Sequence, residues 1–112
     1  MRTILLAGQD SVLLATRAAV LRMTGSEVVC ASVKEAQKLI ESSRFDLLVL
    51  CHSVAFREAE RLAELARKQS RTIKVLLVSN LGGVRQDRGE KFDAMSVPEP
   101  ELLLACTSQL LE

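Results

Sequence analysis

Leu47, Leu48, Val49, Leu50 and Cys51 form an unbroken apolar run, entered from Phe45-Asp46 and left through His52-Ser53. Five apolar residues are too few for a helix, and the run lacks the polar alternation of a strand with one wet face. It reads as a strand covered on both faces. Such a strand requires helices above and below it, hence a parallel sheet with crossover helices, and in such sheets sites lie at the carboxyl ends of the strands. Cys51, His52 and Ser53 stand where chemistry is expected.

The rest of the chain supplies what that strand needs. Ile4-Leu5-Leu6-Ala7 is a second buried run, and Gly8-Gln9 turns it toward Asp10 or Ser11 as a helix cap. Val12, Thr16, Ala19, Val20 and Met23 recur at helical spacing, which predicts a first helix buried on that stripe with Arg17 and Arg22 outside it. Gly25 stands where a left-handed cap ends such a helix, and Glu27–Ala31 follows as a short strand. Ser32-Val-Lys-Glu35 has the spacing of a capping box, with Val33, Ala36, Leu39 and Ile40 as the apolar face behind it.

Beyond the central strand, Ala55, Ala59, Leu62, Ala63 and Ala66 make a small-residue stripe on a helix whose other side, from Arg57 to Lys68, is charged and solvated. Ile73–Val78 is a fourth strand, followed by Ser79-Asn80 and a Gly82-Gly83 break. The stretch from Val84 to Lys91 is polar and carries Gly89, so a loop or single turn is expected there in place of a full helix. Ala94–Val97 reads as a fifth strand, and Pro100 opens a last helix with Leu102, Leu103, Cys106 and Leu110 on its buried side.

Composition narrows the function. Fifteen Lys and Arg against fourteen Asp and Glu leave a formal charge of +1, so nothing overall favours nucleic acid or an anionic membrane. Three phenylalanines are the whole aromatic content, which argues against a base-stacking platform. Cys30, Cys51 and Cys106 are widely spaced in apolar surroundings and read as reduced core thiols. No apolar run approaches a membrane span and no leader precedes the first strand, so one cytoplasmic domain over residues 1–112 is expected.

Strand and helix signals thus alternate five times, the pattern of a parallel sheet with helices on both faces. On Ile4-Leu5-Leu6 leading to Gly8-Gln9-Asp10, Phe45–Cys51, Val75–Ser79 and Asp93–Leu102, the chain resembles the receiver (CheY-like) domain of bacterial response regulators. That resemblance implies a flavodoxin-like three-layer α/β sandwich with strand order 2-1-3-4-5; here the fourth helix would be short or missing. It also implies a role in two-component signal transduction.

The departures fall on the residues that do the family's work. A receiver takes a phosphoryl group on an Asp at the end of the third strand, and the matching residue is Cys51. The acidic pair that holds magnesium falls on Gly8 and Gln9, with Asp10 one place further on. The Lys that pairs with the phosphoryl group falls on Val97, and the aromatic that moves with the switch on Ala94. The hydroxyl after the fourth strand survives as Ser79. Gly8, Gln9, Asp10, Cys51, Ser79 and Val97 therefore outline a degenerate acceptor pocket, with no catalytic residue, cofactor or metal expected. A phosphoryl transfer to protein needs a hard cation on carboxylate oxygens, and these residues supply few.

Two sharper readings compete. A conventional phosphorelay receiver would need Asp10 and a second carboxylate to converge beside residue 51. A Cys51-dependent phosphatase or redox protein is suggested by Cys51-His-Ser-Val-Ala-Phe-Arg57, which fits Cys-x5-Arg, although the loop has no Gly. His52, the sole histidine, cannot with one Cys complete a zinc site. Arg85, Arg88 and Lys91, with Arg57 and Arg61, are read as solvated charge. Leu102, Leu103, Leu104, Leu110 and Leu111 exceed what one stripe needs, so some are expected to be exposed for a protein partner or a homodimer.

Overall fold

The computed structural model describes residues 2–79 and 92–112. The Gly82-Gly83 break, the polar stretch 84–91 with Arg85, Arg88 and Lys91, and the short or missing helix expected there lie outside the described residues.

Each apolar run becomes a strand and each periodic segment a helix. Chain order is β1 (Thr3–Ala7), α1 (Ser11–Arg22), β2 (Glu27–Ala31), α2 (Val33–Ser42), β3 (Leu47–Leu50), α3 (Phe56–Gln69), β4 (Lys74–Val78), β5 (Ala94–Ser96) and α4 (Pro100–Leu110). The five strands form one parallel sheet in the order β2-β1-β3-β4-β5. Successive side chains of a strand point to opposite faces, and the two faces of this sheet are both dry. Leu5, Ala7, Leu48, Leu50, Val75 and Leu77 pack under α2 and α3, together with Phe45 and Phe92. Ile4, Leu6, Leu47, Val49, Leu76 and Val78 pack under α1 and α4. All four residues of β3 are fully buried, as the unbroken run requires.

Two aspartates set the register at the amino edge. Asp46, immediately before β3, accepts the Thr3 amide on Oδ2 at 2.8 Å and donates its own amide to the Thr3 carbonyl at 2.9 Å. Asp93, immediately before β5, repeats the arrangement on β4: its Oδ2 accepts the Val75 amide at 2.7 Å and its amide donates to the Val75 carbonyl at 2.9 Å. Arg67 on α3 completes the second clamp, donating to the same Oδ2 at 2.9 Å. Phe92, beside it, meets Phe56 edge to face with ring centroids 5.8 Å apart.

The helix ends follow their cap residues. Asp10 Oδ1 accepts the Val12 and Leu13 amides at the start of α1. Gly25, at φ +82°, lies in the left-handed region just past the end of α1, where a side chain is strained. Ser32 and Glu35 form the complete capping box, Ser32 Oγ accepting the Glu35 amide and Glu35 Oε1 accepting the Ser32 amide. Ser32→Ala is expected to cost about 1 kcal/mol, the usual worth of such a cap. A lowered urea midpoint at unchanged slope would register it, and an unmoved midpoint would contradict it.

Three expectations are corrected. Helix α1 does not bury the stripe through Val12, Thr16, Ala19, Val20 and Met23. It buries Leu14, Arg17, Ala18 and Leu21, leaving Val12 72% and Met23 71% exposed. The helix is apolar nearly all round, so spacing alone offers two stripes, and the one that packs contains an arginine. On α4, Leu102 is 52% exposed; Leu103 and Thr107 are buried in the same helix. Cys30 is exposed on β2 and Cys106 half-buried; of the three thiols Cys51 alone belongs to the core, and all are free. Among the described residues no helix is long and apolar enough to cross a membrane.

Candidate functional site

Because the strands run parallel, their carboxyl ends collect along one edge. The register pairs Ala7 with Leu50, Leu50 with Leu77, and Leu77 with Met95, so Gly8, Cys51, Ser79 and Val97 follow these strands along that edge. Gln9 and Asp10 continue from Gly8 into α1. All six residues of the expected pocket therefore belong to the carboxyl edge of the sheet, which is where sequence reasoning located a site.

Its centre is closely packed. The Cys51 amide donates to the Ala7 carbonyl at 2.9 Å, and the Gly8 amide to the Ala31 carbonyl at 3.0 Å, so both turns stay in register with the sheet. Gly8 is buried, and a Cβ placed on it would lie 3.0 Å from Leu14 Cδ2, 3.2 Å from Cys51 Cβ and 3.3 Å from Ser53 Oγ. Ser53 Oγ accepts the Gln9 amide at 3.0 Å. Gln9 Oε1 in turn accepts the Val33 amide at 3.3 Å, tying the β1 turn to the start of α2. Ser79 donates its amide to the Ser96 carbonyl at 2.8 Å, and Val97 is half-buried beyond it.

The charged member of the edge is one that sequence reasoning set aside. Arg17 reaches out of α1 toward the end of β3, is only 5% exposed, and brings its Nη2 to 3.2 Å from His52 Nδ1. Its Nη1 is buried with no partner. A guanidinium has no acceptor and stays protonated, so Nη2 donates and the imidazole accepts, which requires His52 to be neutral with its proton on Nε2. The signal for Arg17 in the sequence is the spacing Leu14, Arg17, Ala18, Leu21, a stripe as regular as that of Val12, Thr16, Ala19, Val20 and Met23.

Electrostatics follows from these contacts. Burial pushes the Cys51 thiol above its ordinary value, and the hydrogen bond and charge of Arg17 only partly oppose this. Cys51 is thus a protonated thiol, 1% exposed, not an activated nucleophile. His52 is held below its ordinary value by burial first and by Arg17 second, with Asp10 acting the other way. The sign for stability follows. Unfolded His52 takes up its proton near pH 6.5, and the folded protein does so only lower down. The stability contributed by neutral His52 is therefore complete above about pH 6.5 and is lost as pH falls toward the lowered value. Urea midpoints should fall between pH 7.5 and 5, with a shallower fall in His52→Gln; an equal fall in both would remove His52 as the cause.

Arg57 does not join this group. It lies exposed in the first turn of α3, and the Val54 amide, which an anion loop would need free, donates at 3.0 Å to the Cys51 carbonyl. Nor do the aspartates gather here. Asp46 and Asp93 hold strand register, and Asp10 caps α1, while Asp87 is outside the described residues. Among the described residues no three His, Cys, Asp or Glu side chains approach closely enough to hold a metal ion. The donor set beside Cys51, an amide, a thiol and an imidazole, is a poor match for magnesium, which takes carboxylate and water oxygens.

With strand order, helix placement and strand-end geometry established, the chain can be compared with known proteins. No protein-family model and no curated protein matches its sequence. Solved structures do match. A CheY-like receiver domain from Methanospirillum hungatei superposes with a TM-score of 0.83 at 23% identity, over 99% of this chain and 94% of that one. The fold is that of a CheY-like receiver domain. Chemotaxis response regulator CheY4 of Vibrio cholerae superposes with a TM-score of 0.82 at 17% identity, covering 98% of both chains. A chain from the complex of histidine kinase ThkA with response regulator TrrA gives 0.83 at 22% identity over the full length of both. In this receiver fold, the carboxyl edge carrying Gly8, Cys51, Ser79 and Val97 is where the resemblance put the acceptor pocket.

Proposed function

We propose that the protein is an atypical receiver domain that acts in signal transduction through protein–protein contact, without an aspartyl-phosphate switch. The observation that carries this reading is Cys51, a buried, protonated thiol touched by a guanidinium at the end of β3. Phosphoryl transfer to a carboxylate needs a divalent cation to offset developing charge. At this edge Gly8 and Gln9 offer none of the carboxylates that would hold one, and Asp10 is engaged by two amides of α1. A permanent internal cation, Arg17, stands beside residue 51 instead.

The fold's known companions support contact as the mode of action. One of the similar structures is a complex between a histidine kinase and a response regulator. In the present chain, Val12 and Met23 on α1 and Leu102 on α4 are large apolar side chains left more than half exposed. A protein partner or a second copy is the class of ligand that such surface suits. The domain is read as non-enzymatic and cytoplasmic, with no cofactor, nucleic acid or membrane involved.

The test is a titration with magnesium and beryllofluoride, which mimics a phosphoryl group, followed by amide NMR. Signals from Gly8 to Asp10, Cys51 to Ser53 and Ser79 are expected to show no shift that depends on magnesium. Saturable shifts centred on them that require magnesium would mean that a working acceptor pocket exists and that the reading is wrong.

A further inference from the structure

We propose that the carboxyl edge of the sheet binds a small oxyanion of the phosphate class, anchored by the guanidinium of Arg17 where it meets His52 and Cys51. The proposal rests on the reading above in one respect, that residue 51, at the end of β3, is not an acceptor carboxylate.

Arg17 is an ionised group 95% removed from water, and a buried charge is costly unless something of opposite sign meets it. Nothing among the described residues does. Among the described residues Arg17 takes part in no ion pair, and the titratable groups nearest to it are neutral or committed elsewhere. From the end of β3 come the Cys51 thiol, which burial keeps protonated, and His52, which must be neutral to accept from Nη2. On α1 itself, Asp10 has Oδ1 taken up by the Val12 and Leu13 amides.

A spare donor accompanies the spare charge. Nη1 is buried with no partner, and an unpaired buried donor is costly in its own right. A tetrahedral oxyanion meets both needs, since two of its oxygens match the parallel N–H groups of a guanidinium. The tight packing around Gly8 leaves no room for a bulky group at the floor, so the recognised part is the anion itself. His52 is half-buried and meets the guanidinium through Nδ1. Turning the imidazole aside uncovers Nη2, and an imidazole released from that contact is free to take a proton and donate to the same anion. Binding is therefore linked to His52 protonation.

The experiment is a titration at constant ionic strength, in chelator and without magnesium, of inorganic phosphate and separately of phenyl phosphate, with sodium chloride as the control. Amide signals of Gly8, Gln9 and Cys51 to Ser53 are followed, along with the pH titration of His52. Saturable shifts at those residues are expected, with the His52 pKa raised by about half a unit or more at saturation because an anion has come close. Arg17→Gln should weaken binding by about tenfold or more, as loss of a charged hydrogen-bond donor does, while Arg57→Gln should leave it unchanged. Binding of inorganic phosphate alone identifies a free ion; binding of phenyl phosphate as well identifies a phosphate ester carried by a partner. No saturable shift from either, or shifts that Arg17→Gln leaves intact, overturns the proposal. Should Arg17→Gln fail to fold, an unmoved His52 pKa in the unaltered protein overturns it equally. Magnesium separates the two tests: a response to beryllofluoride that requires magnesium would remove the proposed function, and silence toward phosphate in chelator would remove only the anion site.

Discussion

Gly8→Val is expected to destabilise the protein by about 3 kcal/mol, the upper range for forcing methyl groups into a closed core. The Cβ alone would stand 3.0 Å from Leu14 Cδ2, 3.2 Å from Cys51 Cβ and 3.3 Å from Ser53 Oγ. Leu14 Cδ2 is the end of a flexible side chain and can give way, so Gly8→Ala should cost only about 1 kcal/mol. Valine adds two carbons beyond that point, where β1, β3 and α1 converge. Displacing Ser53 also removes the acceptor of the Gln9 amide, 3.0 Å away, and leaves that donor unpaired. Urea denaturation of the two variants measures both figures. A valine variant as stable as the parent would show that the edge is looser than its packing implies.

The second large effect has the opposite sign. Arg17→Met is expected to stabilise the fold by about 2 kcal/mol, because methionine fills a similar volume and brings no charge into the space between α1 and β3. His52 loses a donor by this change, but it is half-buried and can turn to water. Arg17→Ala should fall below the parent instead, since it also deletes the aliphatic stem that packs in line with Leu14, Ala18 and Leu21. Denaturation midpoints of the pair separate the charge from the stem. If Arg17→Met lost stability as well, the guanidinium would have to be compensated by a partner not recognised among these contacts. If the midpoints fall as expected, the arginine is kept at the expense of stability, as a binding residue would be.

The sheet was legible in the chain because burial on both faces writes itself as uninterrupted apolar runs, and Leu47 to Cys51 is one. Ser32 with Glu35, and Gly25, marked their helix ends because the side chains that satisfy orphan amides, or tolerate a left-handed backbone, are few. The face of α1 was not legible. Leu13, Leu14, Ala15, Ala18, Ala19, Val20 and Leu21 surround that helix, so periodicity carries little contrast, and an arginine by its charge belongs by default on the wet side. The candidate site shared this fate. Its backbone positions could be named from the strand ends, yet the residue that charges it comes from a helix whose orientation only three-dimensional packing decides. His52 adjoins Cys51 in sequence, but its hydrogen-bond partner is 35 residues away.

Asp46 and Asp93 have an evolutionary consequence. Each stands one residue before a strand and fixes that strand against its neighbour through one carboxylate oxygen and one amide. At β3 the connection upstream of Phe45 is thereby relieved of much of the work of setting register. Mutation can lengthen, shorten or rewrite such a connection, and the strand still docks in the same place. Variation in this lineage should accordingly gather upstream of Phe45, which belongs to the core, where new binding specificities can be tried while the sheet behind stays constant.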